Sequence, residues 1–144
     1  MGAKHYSIRL KLRGVMRDAQ SRCDTVELQT TGRMNFEDDG TIRVLYEEQE
    51  ESGLGQSITQ LRIRDGCVDM SREGDTIVSM RFEKGKQYLS QYRMEQGMLN
   101  VSIFTNRVLY KLDDRGGKIR LAYVISIENG PSSENALSID IAVN

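Results

Sequence analysis

Apolar residues recur at every second position over most of the chain. Between Gly97 and Ile127, Leu99, Val101 and Ile103 share one face of a strand. Ile119, Leu121, Tyr123, Ile125 and Ile127 share one face of the next, and Asp113-Asp114-Arg115-Gly116-Gly117 reads as the turn between them. A period of two is the pattern of a β-strand with one buried face. The same alternation opens the chain, with Tyr6, Ile8, Leu10 and Leu12 set against Ser7, Arg9, Lys11 and Arg13. The adjacent Val15 and Met16 break the phase and predict a bulge or bend at Gly14.

Val26, Leu28, Thr30 and Gly32 predict a second strand continuing bent through Met34 and Phe36, turned by Asp38-Asp39-Gly40 into a third strand of Ile42, Val44 and Tyr46. Asp and Gly tolerate the positive φ that tight hairpins need. Glu47-Glu48-Gln49-Glu50-Glu51 and Gly53-Leu54-Gly55 read as an acidic loop. Shorter strands follow at Ile58 to Ile63, Cys67 to Met70 and Ile77 to Phe82, turned at Arg64-Asp65-Gly66, Glu73-Gly74-Asp75 and Glu83-Lys84-Gly85-Lys86. Gln87 to Glu95 fits either a strand or a short helix; flanking glycines and short length favour the strand. Asn129-Gly130-Pro131-Ser132-Ser133 is the last loop, and Leu137, Ile139, Ile141 and Val143 form the closing strand.

Many strands with a turn signal about every ten residues describe an all-β sandwich or barrel. Long strands in an open sheet would expose a long unpaired edge, which closure removes. Short turns imply up-and-down connection. The expected fold is therefore a single closed antiparallel up-and-down barrel of roughly eight to ten strands, spanning all 144 residues as one domain.

Composition narrows the function classes. Twenty Lys and Arg against 21 Asp and Glu give a net charge of −1, so no basic surplus points to nucleic acid. Cys23 and Cys67 stand far apart with no CxxC, which suggests neither a zinc site nor a redox motif and fits free thiols in a reducing compartment. No apolar run is long enough for a membrane helix. The polar start, Met1 to Ser7, lacks the apolar centre of a signal peptide, so a cytoplasmic protein is expected.

Several short motifs fall in one order along the chain: Thr30-Thr31-Gly32, Tyr46-Glu47-Glu48, Phe82 and Gly85, Tyr92-Arg93-Met94 before Gly97-Met98-Leu99, then Thr105. They end with Gly117-Lys118-Ile119-Arg120-Leu121-Ala122-Tyr123 and with Asn135, Leu137 and Ile139. From about Tyr6 to Val143 the chain resembles the YwiB-like bacterial proteins, an uncharacterised family with a calycin-like (lipocalin-like) barrel. Gln96 departs from that pattern, which often carries an aromatic before the glycine. The resemblance implies the barrel and a small cytoplasmic bacterial protein, and it implies no established activity.

A barrel of this size holds either packed side chains or one small ligand. The ligand-binding residues expected on the inner face are Tyr46, Tyr88, Ser90, Tyr92, Met94 and Tyr123, with tyrosine hydroxyls orienting a ligand and the rings supplying apolar contact. No catalytic constellation emerges. His5 is the single histidine, so Ser-His and Cys-His schemes would rest on that residue. The acidic run lacks the spacing of a calcium loop, so no metal or cofactor is expected. Gly53-Leu54-Gly55 lacks the strand–turn–helix setting of a phosphate loop. The preferred function is a non-enzymatic binder of a small apolar or amphipathic molecule. The alternative is an interaction or structural barrel with a filled core, whose outer Leu45, Leu89 and Val124 serve a partner or a homodimer. Enzymatic use would require Arg93 or Arg107 to turn inward with Glu47.

Overall fold

The computed structural model describes residues 4–49, 56–74 and 77–144. All the regular elements among them are strands: β1 (Lys4–Asp18), β2 (Cys23–Phe36), β3 (Ile42–Gln49), β4 (Gln56–Arg64), β5 (Cys67–Gly74), β6 (Val78–Glu83), β7 (Gln87–Met94), β8 (Gly97–Asp113), β9 (Gly116–Ile127) and β10 (Ser132–Val143). Every ladder is antiparallel, and the sheet runs β6-β5-β4-β3-β2-β1-β10-β9-β8-β7. The ten strands form a nearly closed up-and-down barrel. No helix among the described residues is long and apolar enough to cross a membrane.

The first and last strands pair along nearly their whole length, from Ile8 opposite Val143 to Asp18 opposite Ser133. The gap in the wall lies instead between β6 and β7, which are consecutive in the chain. Among the described residues only the pair Ile77 and Arg93, with both backbone bonds at 2.9 Å, joins them at one end. At the other, the turn between them is tied to β8: the Gly85 N–H donates to the Thr105 carbonyl at 2.8 Å and the Thr105 N–H donates to the Lys86 carbonyl at 3.2 Å. Between these points side chains bridge the strands. The Ser90 hydroxyl donates to the Ser79 carbonyl, and the Tyr88 hydroxyl donates to Glu83 Oε1 at 2.7 Å.

Alternation places the core as the sequence predicts. Ile8, Leu10, Met34, Val44, Leu61, Ile63, Val68, Phe82, Ile103, Ile119 and Ile139 are all essentially sealed from solvent. Burial of an aliphatic or aromatic side chain of this kind is worth about 1.5–3 kcal/mol, so this inner face is what holds the sheet rolled.

Two local expectations differ from the structure. The predicted bulge at Gly14 is absent: β1 keeps its register with both neighbours from Arg13 through Val15. Val15 faces outward between Thr25 and the small Ala136, so the apolar pair Val15-Met16 reflects a tolerant outer surface rather than a phase change. The phase does change in β8, where the register with β9 shifts between Thr105 and Arg107. Val101, Ile103 and Thr105 point inward before it, and Val108, Tyr110 and Leu112 after it. Where a loop is expected from Glu47, β3 instead continues to Gln49; residues 50–55, including Gly53-Leu54-Gly55, and the Asp75 end of the Glu73-Gly74-Asp75 turn lie outside the described residues.

Candidate functional site

One row of inward positions crosses six strands: Ile8, Gly32, Tyr46, Thr59, Arg72 and Val78 are successive cross-strand partners from β1 to β6. Gly32 is required there by close approach rather than by its φ. A Cβ at this position would overlap the Leu45 carbonyl oxygen and crowd Tyr46 Cβ at 3.1 Å and Leu10 Cδ1 at 3.2 Å. Arg72 is thus an arginine on the inner face of the wall, on the same side of β5 as Val68 and Met70. Its Nη2 lies 3.2 Å from Glu48 Oε1, and its Nε donates to the Thr59 hydroxyl at 3.3 Å. Glu48 stands two residues beyond Tyr46 on the inner side of β3.

Three tyrosines lie within electrostatic reach of Arg72, and Tyr46 also of Glu48. Tyr46 is 2% exposed and its hydroxyl faces Thr59 and Glu48; burial raises its pKa strongly, with the Glu48 charge adding and Arg72 opposing. Burial likewise raises Tyr92, again against Arg72, and the Tyr92 hydroxyl donates to the Met80 sulfur at 3.7 Å. Burial, with the neighbouring Tyr92 adding, pushes Tyr123 up to about 12. The Tyr123 ring packs on Phe82 with centroids 4.7 Å apart and planes tilted by 53°. Across the strand from Tyr123 sits Thr105, fully buried, whose hydroxyl has no hydrogen-bond partner in the structure.

Of the residues expected at the site, Tyr46, Tyr92 and Tyr123 gather around Arg72. Ser90 is buried but serves the β6–β7 seam. Tyr88 stands apart: its hydroxyl goes to Glu83, and the Arg81 guanidinium lies 5.6 Å from its ring centroid, at the outer rim of the seam. The backbone of Met94 ends β7, and its side chain lies outside the described residues. Arg93, Arg107 and Glu47 are all exposed, so the inward convergence that enzymatic use would require does not occur with those residues. His5 is exposed and bonded through Nδ1 to the Asn35 side chain at 2.7 Å. No cluster of metal-ligating side chains occurs among the described residues.

The sequence does carry the parity that finds Glu48 and Arg72. Val44, Tyr46 and Glu48 are evenly spaced by two, as are Val68, Met70 and Arg72. The acidic run around Glu48 has the composition of a loop, and Arg72 adjoins the Glu73-Gly74-Asp75 turn signal, so both residues are hidden in the pattern.

Comparison with known proteins agrees with this architecture. The profile of a domain of unknown function, DUF1934, matches residues 10–139. The chain belongs to that family. Along its sequence it is 28% identical over 116 residues to the uncharacterized beta-barrel protein YwiB of Bacillus subtilis, covering 81% of this chain and 79% of that protein. The crystal structure of the Bacillus subtilis YwiB protein superposes with a TM-score of 0.81 at 24% identity, covering 96% of this chain and 94% of the other. The family is thus one of β-barrels without an assigned activity.

Proposed function

We propose that this DUF1934 barrel binds one small amphipathic molecule, with its polar end against Arg72, Glu48 and the tyrosine hydroxyls and its apolar body on the inner face. The observation that carries this is the Glu48–Arg72 pair set inside the wall. Removing charges from water is costly, and a stable core alone is better served by apolar side chains at those positions. A charge pair near Tyr46, Tyr92 and Tyr123, above a sealed apolar floor, has the make-up of a ligand site with a few polar groups fixing orientation. The unpartnered Thr105 hydroxyl adds a further polar group on the inner face. Tyrosines held neutral by burial remain hydrogen-bond donors throughout the physiological range.

Binding is tested with anilinonaphthalene sulfonate, whose aromatic body and anionic head match these groups, and with native mass spectrometry of gently purified protein. Saturable binding at one site is expected. Arg72→Leu should weaken it about tenfold, the loss of one charge-assisted contact. A mass matching the bare chain, together with no saturable uptake of the probe, defeats the proposal.

A further inference from the structure

The outer face of β1–β5 carries a second feature, independent of the interior. The β2–β3 ladder stops at Gly32 opposite Tyr46. Beyond it β2 continues paired with β1 alone, and the Thr30 hydroxyl donates to the Glu47 carbonyl at 2.9 Å. The divergence leaves an open groove of about 720 Å³ on the outer surface, lined by Thr31, Gly32, Arg33, Leu45, Glu47 and Ile58. Leu45 is 39% exposed and Ile58 47%, and they are diagonal neighbours, since Leu45 pairs with Gln60 and Glu47 with Ile58.

Along the row that holds Glu47 and Ile58 the charge changes sign from β1 to β5, with Arg62 exposed four residues farther along β4. Arg9 and Lys11 project from β1 and Arg33 from β2 on one side. Glu47 and Glu73 stand on the other, directly flanking Ile58 on β3 and β5. None of these charges makes an ion pair with a described residue. Leu89 is more exposed, at 85%, with Phe104 diagonal to it, but its direct neighbours Gln87, Gln91 and Ser102 carry no charge that would specify a partner.

We infer that this face packs against the same face of a second copy of the chain. A twofold axis running along β3 near Leu45 sets Arg9 of each copy opposite Glu73 of the other, so one patch supplies both halves of an isologous contact. Apolar groups meet at the centre, and opposite charges at the rim select the register. Five strands about 4.8 Å apart and about nine residues long offer roughly 700 Å² of flat face. That falls below the roughly 800 Å² per partner of a standard stable complex, so the association is reversible and concentration-dependent.

The test is sedimentation velocity of the full chain at low and moderate salt. The wild type should dimerise more weakly as salt rises. Arg9→Glu should weaken self-association about 100-fold, and so should Glu73→Lys, because each places like charges at both symmetric contacts. Mixing the two variants restores opposite charges at both contacts and should return a heterodimer near the wild-type affinity. Both substitutions are on the outer surface, and a circular dichroism melt checks that each variant folds. A wild type that stays monomeric, self-association untouched by the charge reversals, or a mixture that fails to recover it overturns the inference.

Discussion

The Arg72 guanidinium stands 3.2 Å from the Glu48 carboxylate across the inner surface of β3, β4 and β5, with Thr59 between them. Both side chains are less than a third exposed, so the pair is neither a freely solvated surface contact nor a sealed one. Removing Arg72 alone leaves a carboxylate in a half-dry wall. Arg72→Met should therefore cost about 1–2 kcal/mol, below the several kcal/mol of a fully buried pair because water still screens this one. Urea unfolding of Arg72→Met, Glu48→Gln and the double variant should give a coupling of about 1 kcal/mol. Strict additivity would show that the two groups do not interact.

Alkali should destabilise the barrel earlier than it would one with solvated tyrosines. Burial raises Tyr46, Tyr92 and Tyr123, the last to about 12, while an unfolded tyrosine ionises near 10. The folded state therefore holds its phenolic protons more tightly than the unfolded one. Stability is intact below about pH 10 and falls as pH rises through about 12, by up to about 1.4 kcal/mol per pH unit for each tyrosine. Denaturant unfolding across that range, with an ultraviolet titration of tyrosinate, reads both effects. A flat stability up to pH 12 would contradict the assigned burial.

Backbone amides at the β6–β7 seam should exchange with solvent faster than those of β1, β2 and β10. In the seam, Ser90 and Tyr88 side chains replace a backbone ladder, whereas β1 is bonded along both edges. Native-state hydrogen exchange resolved by peptide should find low protection over 78–82 and 88–92. Ser90→Ala should lower it further, since it removes the bridge to Ser79. Protection there equal to that of β1 would mean that the wall is closed.

Gly32→Ala should destabilise by about 2 kcal/mol or more, because the new methyl overlaps a backbone oxygen, that of Leu45, which cannot swing aside as a side chain would. Thermal unfolding checks it. Gly14→Ala is the control, since a Cβ there meets nothing within 4 Å.

Thr105→Val should stabilise the empty barrel by about 1 kcal/mol, since it replaces a buried hydroxyl that lacks a partner with a methyl group of similar size. Thermal melts with and without anilinonaphthalene sulfonate separate two roles. A gain in both conditions marks an idle hydroxyl, and a gain that vanishes with the probe bound marks one that the bound molecule uses.

Much of this was legible in the chain. Asp65-Gly66 and Gly85 take the positive φ that their turn positions imply, and the inner rows follow strict parity in every strand except β8, where the phase changes after Thr105. The chemistry of the site was less legible. Tyr46, Tyr92 and Tyr123 come together, yet Tyr88 has the same parity as Tyr92 and still leaves for the seam, drawn by Glu83 and Arg81. Glu48 and Arg72 lay inside segments whose surrounding charges resemble loop and turn.

Alternation is a local property, so the sequence by itself determined most of the strands, their hairpins and the apolar part of the inner face. Where the wall stays open is a global property. It depends on how twist and tilt accumulate over ten strands, including the register shift after Thr105. Only the tertiary structure therefore decided that β1 and β10 pair fully, that the gap falls at β6–β7, and that Arg72 reaches Glu48 from a strand two places away around the barrel.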